Sequence, residues 1–187
     1  IYTHVLTNTG DVTDTIAITF ESSQGWATLL TSASVELAPS QTATVRVQIT
    51  VPGVGVGGLT DVTVITATSG LSPYPVDTAV DTTDVAMAAG VAFEPDRVGS
   101  ADPGTVITYT HTLTNTGDGP DIFTMTHHSS QGWAVAYEPS ISVGYGMTTT
   151  VIVSVTVPAD AISGTLDTTV VTATSQHDGA VWADVVE

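Results

Sequence analysis

Apolar and polar residues alternate with a period of two along most of this chain. Val45, Val47, Ile49 and Val51 fall on one face while Arg46, Gln48 and Thr50 fall on the other, the pattern of a strand with one side on a core and one in water. Val151, Val153, Val155 and Val157 repeat it. Similar runs occupy Tyr2 to Thr7, Thr15 to Phe20, Trp26 to Leu30, Val62 to Thr68 and Val76 to Val85, separated by clusters of Gly, Pro, Asn, Asp and Ser. Short runs punctuated at roughly 8–15 residues predict antiparallel β-sandwiches of about seven strands. No stretch has an apolar period of 3.6, and Thr and Val are poor helix formers, so no helix is expected.

The whole pattern occurs twice. Tyr2 to Asp11 reads YTHVLTNTGD and Tyr109 to Asp118 reads YTHTLTNTGD, an offset of 107 (109 − 2). SSQGWA recurs at Ser22 and Ser129, TVRVQITVP at Thr44 answers TVIVSVTVP at Thr150, and DVTVITATS at Asp61 answers DTTVVTATS at Asp167. A unit of roughly 100 residues in tandem is the signature of a domain array. The expected domains are 1–88 and 89–187.

The two copies differ at their start. Repeat 2 has a further strand around Val91 to Glu94 and a Pro-Gly turn at Pro103 and Gly104 before Tyr109, and repeat 1 has no counterpart of either. Its opening strand, Tyr2 to Thr7, is therefore expected to expose unpaired backbone until another segment fills the gap. That segment would come from a longer chain or from a neighbouring subunit. At the other end, Glu187 aligns near Asp84 if the loop after Ser175 is three residues shorter in repeat 2.

Composition removes several function classes. The 187 residues carry 19 Asp and Glu against two bases, Arg46 and Arg97, for a formal net charge of −17. No basic patch can neutralise phosphates, so nucleic acid is excluded as a partner. No apolar run is long enough to cross a membrane, and membrane insertion is not expected. Cysteine is absent, which removes disulfides and thiolate chemistry together. The low-charge, Thr- and Val-rich make-up suits an exported protein at the cell surface or beyond it. No Asn begins an N-x-Ser/Thr sequon, whereas the many Thr hydroxyls are candidate O-glycan acceptors.

Few side chains suggest chemistry. Gly53, Gly55 and Gly58 spell G-x-G-x-x-G after a strand, but no helix pattern follows and repeat 2 substitutes Ala159, Ala161 and Gly164, so a loop is expected. His127 and His128 are adjacent on a strand and point to opposite faces, which prevents a shared metal. His4 and His111 share faces with Tyr2 and Tyr109 and read as partly buried, hydrogen-bonded rings rather than ligands. Trp26 and Trp133, each after Gln-Gly, read as core anchors, and Trp182 as the better candidate for an exposed contact. The suggestive group is carboxylate. Asp118, Asp121 and Asp178 of repeat 2 and Asp61 and Asp84 of repeat 1 are expected to approach the junction of the domains, where oxygen ligands so short of bases suit Ca²⁺; solvated turn residues are the alternative. No other cofactor is expected.

YTHTLTNTGDGPD, SSQGW, the TVxVxVTVP strand and DTTVVTATS together resemble the immunoglobulin-like repeats of long bacterial surface and secreted proteins, related to the conserved-repeat and alpha-galactosidase-associated families. The resemblance implies an all-β chain of two tandem immunoglobulin-like antiparallel sandwiches, an extracellular setting and no catalysis by the module itself. The expected function is a structural repeat of a fibre, stalk, surface layer or filament, with neighbouring copies as partners, assembled through strand complementation. An accessory or binding module of a secreted carbohydrate-active enzyme or adhesin, with glycans as partners, is the alternative.

Overall fold

A computed structural model describes residues 1–187. The chain folds into two compact units, Ile1–Ala86 and Met87–Glu187. Every element is a strand and every pairing is antiparallel, as the period-two alternation requires. No helix is long and apolar enough to cross a membrane.

Unit 1 contains β1 (Tyr2–Thr7), β2 (Asp14–Ser22), β3 (Ala27–Leu29), β4 (Ser34–Leu37), β5 (Thr42–Ile49), β6 (Thr60–Ser69) and β7 (Val76–Asp84). They form two sheets, in the orders β1-β5-β3 and β4-β2-β6-β7. Unit 2 contains β8 (Val91–Glu94), β9 (Val106–Asn115), β10 (Asp121–Ser129), β11 (Ala134–Ala136), β12 (Ser140–Val143), β13 (Thr148–Thr156), β14 (Thr169–Ser175) and β15 (Trp182–Val186). Its sheets run β11-β13-β9-β8 and β12-β10-β14-β15. Each unit is an immunoglobulin-like sandwich. The short strands β4 and β12 were not among the runs read from the sequence.

The boundary lies after Ala86, so Met87 and Ala88, expected in repeat 1, belong to unit 2. Hydrogen bonds hold them there. Ala88 N donates to Asp118 Oδ1 at 2.7 Å, and the Met87 carbonyl accepts from His177 Nε2 at 3.1 Å.

Strand register also corrects the alignment of the last strand. Val64 pairs with Val80 and Val170 with Val186; Thr63 pairs with Asp81, and Thr169 exchanges backbone bonds with Glu187. The hairpins after Ser69 and Ser175 are therefore equally long, and Glu187 is the counterpart of Asp81 rather than Asp84. The sequence offered no apolar residue in those loops to fix the spacing.

The cores differ in extent. In unit 2, eleven buried residues form one cluster that includes Phe93, Leu113, Phe123, Val153, Val171 and Val185. In unit 1 the cluster is Ile18, Val45, Val47 and Ile65, with Leu6, Phe20 and Ile49 only partly covered. Within these residues β9 is flanked by β13 and by β8, whose Phe93 lies opposite the fully buried Leu113, while β1 with the equivalent Leu6 is paired with β5 alone. Apolar burial stabilises by about 25 cal/mol per Å², so unit 1 is the less stable sandwich.

Candidate functional site

The residues with the most chemistry serve as cross-links inside each sandwich. Asp61, fully buried at the start of β6, accepts hydrogen bonds at Oδ1 from Ser22 Oγ (2.7 Å) and Gln24 N (2.8 Å), and at Oδ2 from Thr63 Oγ1 (2.6 Å). Asp167 repeats this with Ser129 Oγ (2.8 Å), Ser130 Oγ (3.0 Å), Gln131 N (2.8 Å) and Thr169 Oγ1 (2.7 Å). The Ser-Ser-Gln-Gly-Trp turn is thus clamped to the Asp-x-Thr that opens the strand beside it. Gly25 and Gly132 sit at φ of 73° and 70°, a left-handed conformation that glycine adopts without strain. Ser22 and Ser129 then accept from Trp26 N and Trp133 N at 2.9 and 2.8 Å.

Burial pushes the Asp61 and Asp167 carboxyls up, but the hydroxyl and amide donors more than offset it and hold both below the ordinary carboxylate value. Two further cross-links are duplicated. Asp14 accepts from Ser69 Oγ and Asp121 from Ser175 Oγ, while the amides of Asn8 and Asn115 donate to the carbonyls of Leu37 and Val143. The signal for these ties was present in the sequence, because Ser-Ser-Gln-Gly-Trp and Asp-x-Thr recur together. Nothing in one dimension said that they touch.

The five carboxylates expected to hold calcium are distributed as follows. Asp61 is in its clamp, and Asp84 accepts from Thr60 Oγ1 at 2.6 Å. Asp118 caps Ala88 N, and Asp121 is buried against Ser175 and its own neighbour Ile122 N. Asp178 closes the β14–β15 hairpin by accepting from Ala180 N. Within neither unit do three His, Asp or Glu side chains gather into a group that could hold a metal ion.

The histidines separate by depth. His4 Nε2 lies 3.0 Å from Asp81 Oδ2, with a quarter of the His side chain exposed. His111 Nε2 lies 2.6 Å from Glu187 Oε1 with both side chains fully enclosed, and Nδ1 bonds the Pro95 carbonyl at 2.8 Å. The pair is close but not aligned as a hydrogen bond, and Glu187 Oε2 has no partner. Burial pushes Glu187 up to about 7, with Asp96 adding and Arg97 opposing; burial also lowers His111. Between pH 4.5, the ordinary value, and about 7, the native unit holds a proton that the unfolded chain releases, so this group's contribution falls as pH rises through that window. Glu187→Gln should therefore match the parent at pH 4.5 and exceed it at pH 8 by about 2 kcal/mol in unit 2, read from calorimetry across pH. A gain that is the same at every pH would contradict this assignment.

Trp26 and Trp133 are not buried core anchors. Trp26 and Trp133 are half-buried, and Trp133 flanks the core whose centre is Phe123 and Leu113. The Gly-Trp step sets each ring at the sandwich margin, where Val and Ile already fill the interior. Trp182 is 58% exposed on β15. A cleft of about 400 Å³ lies beside Trp133, Tyr109, Ile107, Asp167 and Glu187. Its two carboxylates have displaced proton affinities, the pattern of an acid and base pair. Asp167 already receives four bonds and Glu187 is turned inward against His111; neither carboxylate is presented to the cleft as a free acid or base.

β1 pairs with β5 and has no neighbour on its other side, whereas its counterpart β9 lies between β13 and β8.

Comparison with protein families matches residues 91–183 to the family described as the VWA7 Ig-like domain. Comparison with curated proteins returns no match. The matched span runs from the first residue of β8 into β15, so the similarity covers most of unit 2 and supports a structural or binding module of immunoglobulin-like fold.

Proposed function

We propose that this chain is a non-enzymatic structural module of an extracellular fibre, stalk or surface layer, set among further copies of the same repeat. The observation that carries the reading is the duplicated set of buried ties: Asp61 and Asp167, Asp14 and Asp121, Asn8 and Asn115 occupy the same places in both units and bind loops to strands in each. Side chains able to act on a substrate are thereby committed to keeping two sandwiches folded. Such ties hold without cysteine, by satisfying buried backbone groups that would otherwise open the sheets. A bacterial surface setting agrees with the resemblance of the repeat motifs.

The test is surface display. Antibodies against the chain should label intact source cells, and protease applied outside those cells should remove the label. A chain found only inside would overturn the proposal. Trp182, exposed on an edge strand, favours one second reading, an accessory module that binds glycans by stacking. Retention on a glycan array that is lost in Trp182→Ala would select it.

A further inference from the structure

The connection between β8 and β9 carries the one Asp-Pro bond of the sequence, Asp102–Pro103. Residues 101–105 are exposed, and Pro103 and Gly104 form a tight turn with Gly104 at φ 82°. The turn is pinned to the end of β13. Gly104 N donates to the carbonyls of Val157 at 3.1 Å and Pro158 at 3.3 Å, and Val157 N donates to the Thr105 carbonyl at 2.9 Å. Within this frame the Asp102 carbonyl oxygen accepts two hydrogen bonds, from Thr105 N at 3.1 Å and from Thr105 Oγ1 at 2.6 Å. The first is the ordinary bond of a β-turn; the hydroxyl adds a second, shorter donor on the same oxygen. Two fixed donors polarise that carbonyl and are placed to hold a negative charge on its oxygen.

The residues on either side of the carbonyl supply a nucleophile and a leaving group. An Asp carboxylate reaches its own carbonyl carbon by closing a five-membered ring. The Pro103 nitrogen carries no hydrogen and departs as a secondary amine, which takes up a proton readily. Asp61 and Asp167, by contrast, have their oxygens held by Ser, Thr and backbone donors, and the Glu94–Pro95 and Glu138–Pro139 bonds would require a six-membered ring.

We propose that Asp102–Pro103 is a self-cleavage site. The Asp102 carboxylate attacks the Asp102 carbonyl carbon, and the resulting oxyanion is held by Thr105 N and Oγ1. The carbon–nitrogen bond to Pro103 breaks, the nitrogen keeping the electron pair and taking a proton from solvent, and a cyclic anhydride is left on Asp102. Water opens the anhydride to two carboxyls. One water is added overall and nothing is oxidised or reduced. The products, Ile1–Asp102 and Pro103–Glu187, stay together, because β8 remains paired with β9 from Val91–Asn115 to Glu94–Thr112, Ala88 N remains bonded to Asp118 Oδ1, and Arg97 N to the Val186 carbonyl. The cut thus turns the covalent path from unit 1 into the body of unit 2 into a noncovalent one. This goes beyond the structural-module reading and does not rest on it.

The experiment incubates the full chain in mildly acidic buffer and follows it by intact-mass spectrometry. Two fragments meeting at Asp102 and Pro103 should accumulate, and they should co-elute on size exclusion until denaturant is added. Cleavage should be at least about tenfold faster in the folded chain than in the same chain unfolded in concentrated urea at the same pH, since only the folded turn fixes the two donors. Thr105→Val should slow it about tenfold, Thr105→Ser should retain it, and Asp102→Ala and Pro103→Ala should abolish it, with circular dichroism unchanged in each. Cleavage as fast in urea as in buffer would mean the ordinary acid lability of an Asp-Pro bond and overturn the proposal. So would a Thr105→Val chain that cleaves at the parent rate, fragments that separate without denaturant, or a natively folded parent that yields no fragments.

Discussion

Asp61→Ala is expected to unfold unit 1 well below the temperature at which the parent melts. The carboxylate is fully buried and joins Ser22, Gln24 and Thr63. Its removal takes the acceptor from three hydroxyls, those of Ser22, Ser23 and Thr63, and from one amide at the place where the Ser-Ser-Gln-Gly-Trp turn meets β6. Breaking a buried charged group away from its donors costs about 3–5 kcal/mol, which for a domain of this size lowers the melting temperature by on the order of 10–20 °C. Calorimetry resolved into two transitions should show the lower one move and the upper one stay. The acid side supplies a second signature. A carboxyl held below its ordinary value of 3.8 adds stability that is present above pH 3.8 and is lost as pH falls through its lower native value. Asp61→Ala should lack that acid loss. Asp11→Ala, exposed in a turn, should shift melting by less than about 0.5 kcal/mol; a comparable effect at both aspartates would remove the clamp from the account.

Phe93→Ala should have the mirror effect on unit 2. Phe93 is buried in the main cluster and meets the His111 ring edge-on, with centroids 5.5 Å apart. Truncating a buried Phe costs about 3–5 kcal/mol in transfer and cavity terms. It should also give β9 the exposure of β1, since Leu113 and His111 lose the cover that Leu6 and His4 lack. Amide exchange along Val106–Asn115 should rise toward that of Tyr2–Thr7, with unit 1 unchanged. Equal shifts in both transitions would mean that β8 does not act on its own sandwich alone.

The strands were legible because their cause is local. Val45 and Val47, or Val151 to Val157, show by alternation which side faces the core, and Val91 to Glu94 was bounded correctly by the turn residues around it. The fold class followed from the same pattern. Trp26 and Trp133 were misplaced because large aromatic area favours burial on average, whereas here the glycine before each ring and the serine that binds its amide fix the ring at the margin.

By itself the sequence determined two copies of one antiparallel sandwich without cysteine. These depend on residue type and spacing, which a single dimension records in full. Only the tertiary structure decided what the repeated polar residues do. Asp61 lies 39 positions from Ser22, and a turn-forming aspartate, a calcium ligand and a buried clamp look alike until the strands bring their partners within hydrogen-bond distance. The pairing of Glu187 with His111 was hidden for the same reason, because the register between β14 and β15 is fixed by backbone bonds and carries no mark in the side chains of the hairpin loop.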